Sequence, residues 1–238
     1  MAKSKLLENS IEVWDIDLKE QMFYRLKPYF HILSNEERKI YSNFKVNWRK
    51  KLYIITWVIL RLLLSKYTNK QPEKITFYKN KYGKPFIKSS NLKFNISHSK
   101  EKLVVAISEC EVGVDVEYID TNFDIGDIID IVLSENEKLS IKTLNPKLQK
   151  KQFFLYWTQK EALLKAIGTG INTDLNTLEI NCDMVLNNEC RLLRFNEWGI
   201  LPLEILDSKY VAHVAYNCNI NKTLKYFYNI DFFTFVNK

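Results

Sequence analysis

Displaced by 100 residues, the chain lines up with itself. Val13-Trp14-Asp15-Ile16-Asp17 falls on Gly113-Val114-Asp115-Val116-Glu117, Leu33-Ser34 on Leu133-Ser134, and Glu37 on Glu137. Lys50-Lys51 falls on Lys150-Lys151, Trp57 on Trp157 and Leu63-Leu64 on Leu163-Leu164, with no gap from 11 to 65. A repeat of this length restricts the chain to folds built from two similar units. Each unit opens with an alternating run that carries acidic residues, at 11–18 and 112–119, which reads as a strand. A helix then begins near Ser34 or Ser134, each followed by Glu three residues on, as in a capping box. A long helix follows, over 48–67 and 150–167. Further strands are expected at 74–78, 94–96 and 103–108 in the first unit. In the second they are expected at 178–181, 191–195, 210–216 and 224–233. The predicted architecture is α+β, a pseudo-two-fold arrangement of two similar α/β halves, 1–111 and 112–238. A cleft between related halves is a natural ligand site.

The halves differ in their charges. Position 61 is Arg where 161 is Glu, and 65 is Ser where 165 is Lys. One asymmetric site, furnished by the second half, is the expectation. The run Trp157-Thr-Gln-Lys-Glu-Ala-Leu-Leu-Lys-Ala-Ile-Gly-Thr-Gly170 has good helix formers, no Pro, and glycines at 168 and 170 as a stop. Glu161 and Lys165, four apart, share one helix face, and Trp157 and Lys160, three apart, share another. A lone Glu–Lys pair of this kind contributes only a few tenths of a kcal/mol, about 0.2–0.5. The strand at 112–119 supplies the matching groups. Asp115 and Glu117 point to one of its faces, Val114 and Val116 to the other. Two adjacent carboxylates repel, and a hard divalent cation such as Mg²⁺ removes that cost. Glu161 offers a third ligand. Asp15 and Asp17 repeat the acidic pair without a carboxylate on the matching helix, so no metal is expected there.

Phe94-Asn-Ile-Ser-His-Ser99 reads as a short strand ending in polar groups, with Lys100 and Lys102 beyond it. Ser97, His98 and nearby N–H groups suit phosphate oxygens. His31 and His213 read as capping or core histidines. Tyr82-Gly-Lys-Pro85 is a turn that presents Lys84 to an anion. Arg38, Lys39, Lys45, Arg49, Lys50 and Lys51 crowd the first helical region, and Arg49 and Lys51 lie near a helix start, where anions gather.

The formal charge of +7 and a pI near 9.0 favour an anionic partner: nucleic acid, a phosphorylated cofactor or an acidic protein. Cys110, Cys182, Cys190 and Cys218 form no CxxC pair, which favours free thiols in a reducing compartment. The first twelve residues lack a signal-peptide core, and the apolar run 52–64 is broken by Arg61 and too short to span a bilayer. A soluble, cytoplasmic protein is the expectation.

Taken in order, Tyr82-Gly-Lys-Pro85, Phe94 to Ser99, Gly113-Val-Asp-Val-Glu117 and Trp157-Thr-Gln-Lys-Glu161 with Lys165 resemble the motif set of the 4′-phosphopantetheinyl transferases, of the surfactin-synthetase-activating (Sfp) type. The resemblance implies that family's fold. It also implies transfer of the phosphopantetheine arm of coenzyme A to a serine of an acyl or peptidyl carrier protein, releasing adenosine 3′,5′-bisphosphate. By resemblance Asp115, Glu117 and Glu161 hold Mg²⁺, and Glu161 also activates the carrier serine. Lys165 and His98 neutralise phosphate charge. Lys84, Pro85 and Ser97 position the cofactor, with Arg49 and Lys51 toward its 3′-phosphate. Glu137 resembles a further glutamate near the metal. The second half carries the metal site and the first contributes to cofactor binding. A monomer without nucleic-acid or membrane partners is implied. The carrier can belong to fatty-acid, nonribosomal peptide or polyketide synthesis. The competing readings are a basic nucleic-acid-binding module and an inactive carrier-binding relative. Clustered carboxylates beside the lysines speak against the first, since they repel phosphate unless a metal intervenes.

Overall fold

The computed structural model describes residues 7, 10–88, 90–126, 128–170, 174–180, 193–217 and 223–237. In chain order the first sheet region contains β1 (Ser10–Asp17), α1 (Glu20–Leu26), α2 (Asn35–Asn43), α3 (Asn47–Thr68), β2 (Phe77–Lys79), β3 (Pro85–Ile87), β4 (Lys93–Ser99) and β5 (Lys102–Ser108). Then come β6 (Val112–Tyr118), α4 (Ile129–Val132), α5 (Glu135–Lys142), α6 (Pro146–Ile167), β7 (Leu193–Phe195), β8 (Trp198–Pro202), β9 (Tyr210–Asn217), β10 (Thr223–Tyr228) and a C-terminal helix (Asn229–Val236). Among the described residues no helix is long and apolar enough to cross a membrane.

Strand alternation builds the layers. One sheet has the order β10-β1-β5-β4, the other β6-β9-β8-β7, and β2 and β3 form a separate hairpin. Ile11, Val13, Val104 and Ala106 of the first sheet meet Val112, Val114, Val116, Ala212 and Val214 of the second in one buried cluster. On the outer face of the first sheet, Trp14, Ile16, Leu103 and Val105 pack with Val58, Ile59 and Leu62 of α3. On the outer face of the second, Ile200 and Ala215 pack with Ala162, Leu163 and Ala166 of α6. The result is helix, sheet, sheet, helix. Gly113 lets α6 rest directly on β6, since a Cβ there would stand 2.2 Å from the Ala162 carbonyl oxygen and the Ala166 nitrogen.

The repeat is real, with a changed register. Both capping boxes form: Ser34 Oγ accepts from the Glu37 N–H while Glu37 accepts from the Ser34 N–H, and Ser134 and Glu137 do the same. Each boxed glutamate is also gripped by a buried cation of the long helix. Arg61 donates to Glu37 at 2.9 Å through two nitrogens, and to the Pro72 and Ile75 carbonyls. Lys160 donates to Glu137 at 2.5 Å and to the Val132 and Leu175 carbonyls. The long helices end on left-handed caps at Asn69 and Gly168, which are 99 residues apart, like Arg61 and Lys160. Arg61 is therefore the counterpart of Lys160, and Leu62 that of Glu161. The strands also reject the displacement by 100. Asp15 shares a strand face with Ile11 and Val13, which pack between the sheets, whereas Asp115 shares that of Gly113, toward α6. An even displacement cannot match two residues on opposite faces.

Several boundaries move. The strand expected at 74–78 is a 3₁₀ turn, Pro72–Lys74, followed by β2. The helix expected from 150 starts at Pro146, behind an Asn145 cap whose side chain accepts from the Leu148 N–H. Residues 178–180 are not a strand, and 181 lies outside the described residues, as do 191 and 192 ahead of β7. The run 224–233 is strand only to Tyr228 and then helix. β10 pairs in parallel with β1, and Phe232 packs edge-on to Trp14 at 6.4 Å. The chain end thus completes the first sheet, and a cut at 111/112 separates the sheets only as far as residue 217. Cys110 is in a disulfide, not a free thiol as expected. Cys182, Cys190 and Cys218 lie outside the described residues.

Candidate active site

β4 is the edge of the first sheet and β6 the edge of the second, and the site forms where these edges meet. Asp115 is almost wholly buried on β6. Its Oδ1 accepts from the Ser97 hydroxyl at 2.8 Å and from Lys165 Nζ at 2.5 Å, and the same ammonium lies 2.9 Å from Ser97 Oγ. Glu117, two residues on and half-buried, accepts from Ser99 at 2.8 Å. Glu161 reaches the same region from α6, one turn before Lys165, and is buried.

The electrostatics are those of crowded acids. Burial raises the Asp115 carboxyl pKa, against the pull of Lys165. Burial and then the Asp115 charge push Glu117 up to about 7, with Glu161 adding to the rise. Glu161 is raised by burial and by Asp115, with Lys165 opposing. His98 is exposed and, by strand alternation, leaves β4 on the side of Phe94 and Ile96. Desolvation and the Lys165 charge lower its pKa while Asp115 raises it, so it stands within the field of the cluster.

The donors are all hard oxygens, the kind that Mg²⁺ prefers. Asp115 Oδ2 is buried and has no hydrogen-bond partner among the described residues. A cation would satisfy it and would relieve the mutual repulsion of the three acids. On these grounds the residues fit a divalent ion. As they stand, no three acidic, His or Cys groups among the described residues are gathered closely enough to hold one, and Lys165 supplies the charge beside Asp115.

Other expected residues lie apart from the cluster. Lys84 Nζ donates to the Val112 and Ala166 carbonyls at 3.2 and 2.9 Å and to Glu111 at 3.3 Å, tying the start of β6 to the end of α6. Burial lowers its pKa. With Pro85 it lines a cavity of about 240 Å³. Arg49 lies over Trp48, and Lys51 lies 3.6 Å from Glu20 and over Phe23. Glu137 is engaged by Lys160, by its capping box and by the Ile180 N–H, so its carboxylate serves the α5–α6 packing. Asp15 and Asp17 are joined by Lys102 of β5, at 2.9 and 2.8 Å. An internal ammonium therefore bridges this first-half pair, and Lys19 stands 3.8 Å from Asp17.

Two contributors were not assigned by sequence. Asn95 and Ser99 stand two residues either side of Ser97 and face β6 with it; strand parity was the signal. His213 is a core histidine, as expected: on β9 opposite Asp115, it is fully buried and bonded to Thr158 at 2.7 Å and Gln159 at 3.3 Å, inside the Trp157–Glu161 motif. Beside Glu117 opens a cavity of about 350 Å³, walled by Phe123, Phe153, Phe154 and Trp157.

Comparison with known proteins finds relatives along most of the chain. Residues 111–215 match a family model described as the 4′-phosphopantetheinyl transferase superfamily, and 22–111 match one described as 4′-phosphopantetheinyl transferase, N-terminal. The chain is 38% identical over 141 residues to the 4′-phosphopantetheinyl transferase gsp of Aneurinibacillus migulanus, spanning 59% of this chain and 57% of that one. It is 29% identical over 215 residues to HetI, a 4′-phosphopantetheinyl transferase of Nostoc, spanning 88% and 89%. It is 34% identical over 117 residues to an L-aminoadipate-semialdehyde dehydrogenase-phosphopantetheinyl transferase of Candida glabrata, spanning 46% and 45%.

Proposed function

The chain belongs to the 4′-phosphopantetheinyl transferase superfamily, and from that premise we propose that it transfers the phosphopantetheine arm of coenzyme A to a serine hydroxyl of an apo carrier protein. The serine oxygen attacks the phosphorus that bears the pantetheine, the diphosphate P–O bond breaks, and adenosine 3′,5′-bisphosphate leaves with the electron pair. The observation that carries this is the buried Asp115 Oδ2, without a hydrogen-bond partner among the described residues, with Glu117 and Glu161 within its electrostatic reach and Lys165 beside it.

Asp115, Glu117 and Glu161 would hold Mg²⁺, which when bound offsets the charge of the diphosphate. The protein's own groups do the rest. Glu161, its basicity raised by burial, takes the serine proton. Lys165 Nζ, already shared between Asp115 and Ser97, swings to phosphate oxygens as charge builds on them. His98 donates to the same oxygens from the open edge of the seam, and Ser97 orients the Lys165 ammonium. The apolar cavity beside Glu117 suits the uncharged pantetheine arm. Lys84, Pro85, Arg49 and Lys51 are assigned to the nucleotide end on the strength of the motifs. The net charge of +7 favours coenzyme A and an acidic carrier and steers their encounter. A cytoplasmic monomer that leaves nucleic acid unbound completes the proposal.

Apo-carrier protein incubated with coenzyme A, Mg²⁺ and the protein should gain the mass of one phosphopantetheine. The gain should vanish with chelator and with Glu161→Gln. An unmodified carrier together with retention of DNA or RNA would favour the nucleic-acid reading instead.

A further inference from the structure

Neither β4 nor β6 pairs its main chain with the other, although the two edges face each other. Every second residue of β4 instead sends a side chain across. Asn95 Oδ1 accepts from the Val114 N–H at 2.9 Å, and the Ser97 hydroxyl donates to Asp115. Ser99 does both: its hydroxyl donates to Glu117 Oε2 at 2.8 Å and accepts from the Tyr118 N–H at 3.0 Å. The accepted bond pins the oxygen to the main chain, and the single hydroxyl proton is committed to the carboxylate. Asp115 has a second holder in Lys165, which sits 2.5 Å away. For Glu117, Ser99 is the hydrogen-bond donor that the described residues provide.

We propose that Ser99 is the positioning residue for Glu117, fixing its carboxylate against the repulsion of Asp115 and Glu161 so that it stands ready to join the other two acids when a divalent cation draws the three together. The inference rests on the metal-site reading above. A carboxylate released from such a holder must be re-ordered by the cation itself, and loss of an outer-shell partner of this kind weakens metal binding by about 10–100-fold. Threonine keeps the hydroxyl and should keep the function.

The test uses Mn²⁺ as the probe, titrated into the full-length protein without coenzyme A and followed by the electron paramagnetic resonance signal of free ion. Ser99→Ala should bind Mn²⁺ about tenfold or more weakly than wild type, and Ser99→Thr within about threefold of it. Chemical-denaturation midpoints read alongside separate positioning from folding, because a purely structural role would lower the midpoint and leave affinity intact. If Ser99→Ala does not fold, the near-isosteric pair Ser99→Thr and Ser99→Val is compared in its place. Equal affinity with and without the hydroxyl overturns the inference while the metal site stands. Failure of the wild type to bind Mn²⁺ overturns the metal site, and the inference with it.

Discussion

Lys160 and Glu161 are neighbours on α6 with unrelated surroundings. Lys160 is wholly buried and its donors are filled by Glu137 and two carbonyls. Glu161 has no such ties among the described residues and sits in the field of Asp115 and Lys165. Lys160→Met should strand a buried carboxylate and destabilise the fold by about 3–5 kcal/mol, read by urea denaturation. Glu161→Gln should keep the denaturation midpoint and remove carrier modification. His213 makes a third case. Burial depresses its pKa to about 3, so the folded protein keeps it neutral while the unfolded chain takes up a proton. Its contribution is therefore present above about pH 6.5 and is lost as pH falls. The loss reaches about 2 kcal/mol at pH 5. His213→Asn should flatten the acid limb of the stability curve relative to wild type.

At the scale of elements, the site depends on how closely α6 lies on β6. Gly113 sets that distance, and Gly113→Ala would drive a methyl group into the α6 backbone. The helix would have to lift, carrying Glu161 and Lys165 away from Asp115. Destabilisation of about 3 kcal/mol and loss of turnover together are the expected outcome, read by thermal unfolding and by the carrier mass assay. The functional spacings inside each element were legible from sequence: i,i+2 on a strand and i,i+4 on a helix fix which side chains share a face without tertiary knowledge. The clasp between β4 and β6 was not, because nothing local says that two sheet edges will meet. The end of the chain misled for a related reason. Its aromatic run favours strand by propensity, yet the last turns fold as a helix over the first-half core, where Phe232 is buried.

For the whole molecule, the repeat predicted two related halves, and two sheets with flanking helices are what form. Identity matching nevertheless paired Asp15 with Asp115 across opposite strand faces, because an alignment by residue type is blind to parity. The capping boxes keep the displacement of 100, whereas the strands before them and the long helices after them do not. The two acidic pairs consequently have different fates. Asp15 and Asp17 are matched by two ammoniums, Lys102 between them and Lys19 at 3.8 Å from Asp17, whereas Asp115, Glu117 and Glu161 are left with more negative charge than Lys165 balances. Protonation competes with any cation at Glu117, whose pKa stands near 7. Mg²⁺ should accordingly raise the melting temperature more at pH 8 than at pH 6. The most direct measurement is anomalous diffraction from a crystal grown with Mn²⁺ and coenzyme A. One peak among Asp115, Glu117 and Glu161, touching the diphosphate, is the predicted result; a peak at Asp15 and Asp17, or a diphosphate bound away from the second-half acids, would contradict it.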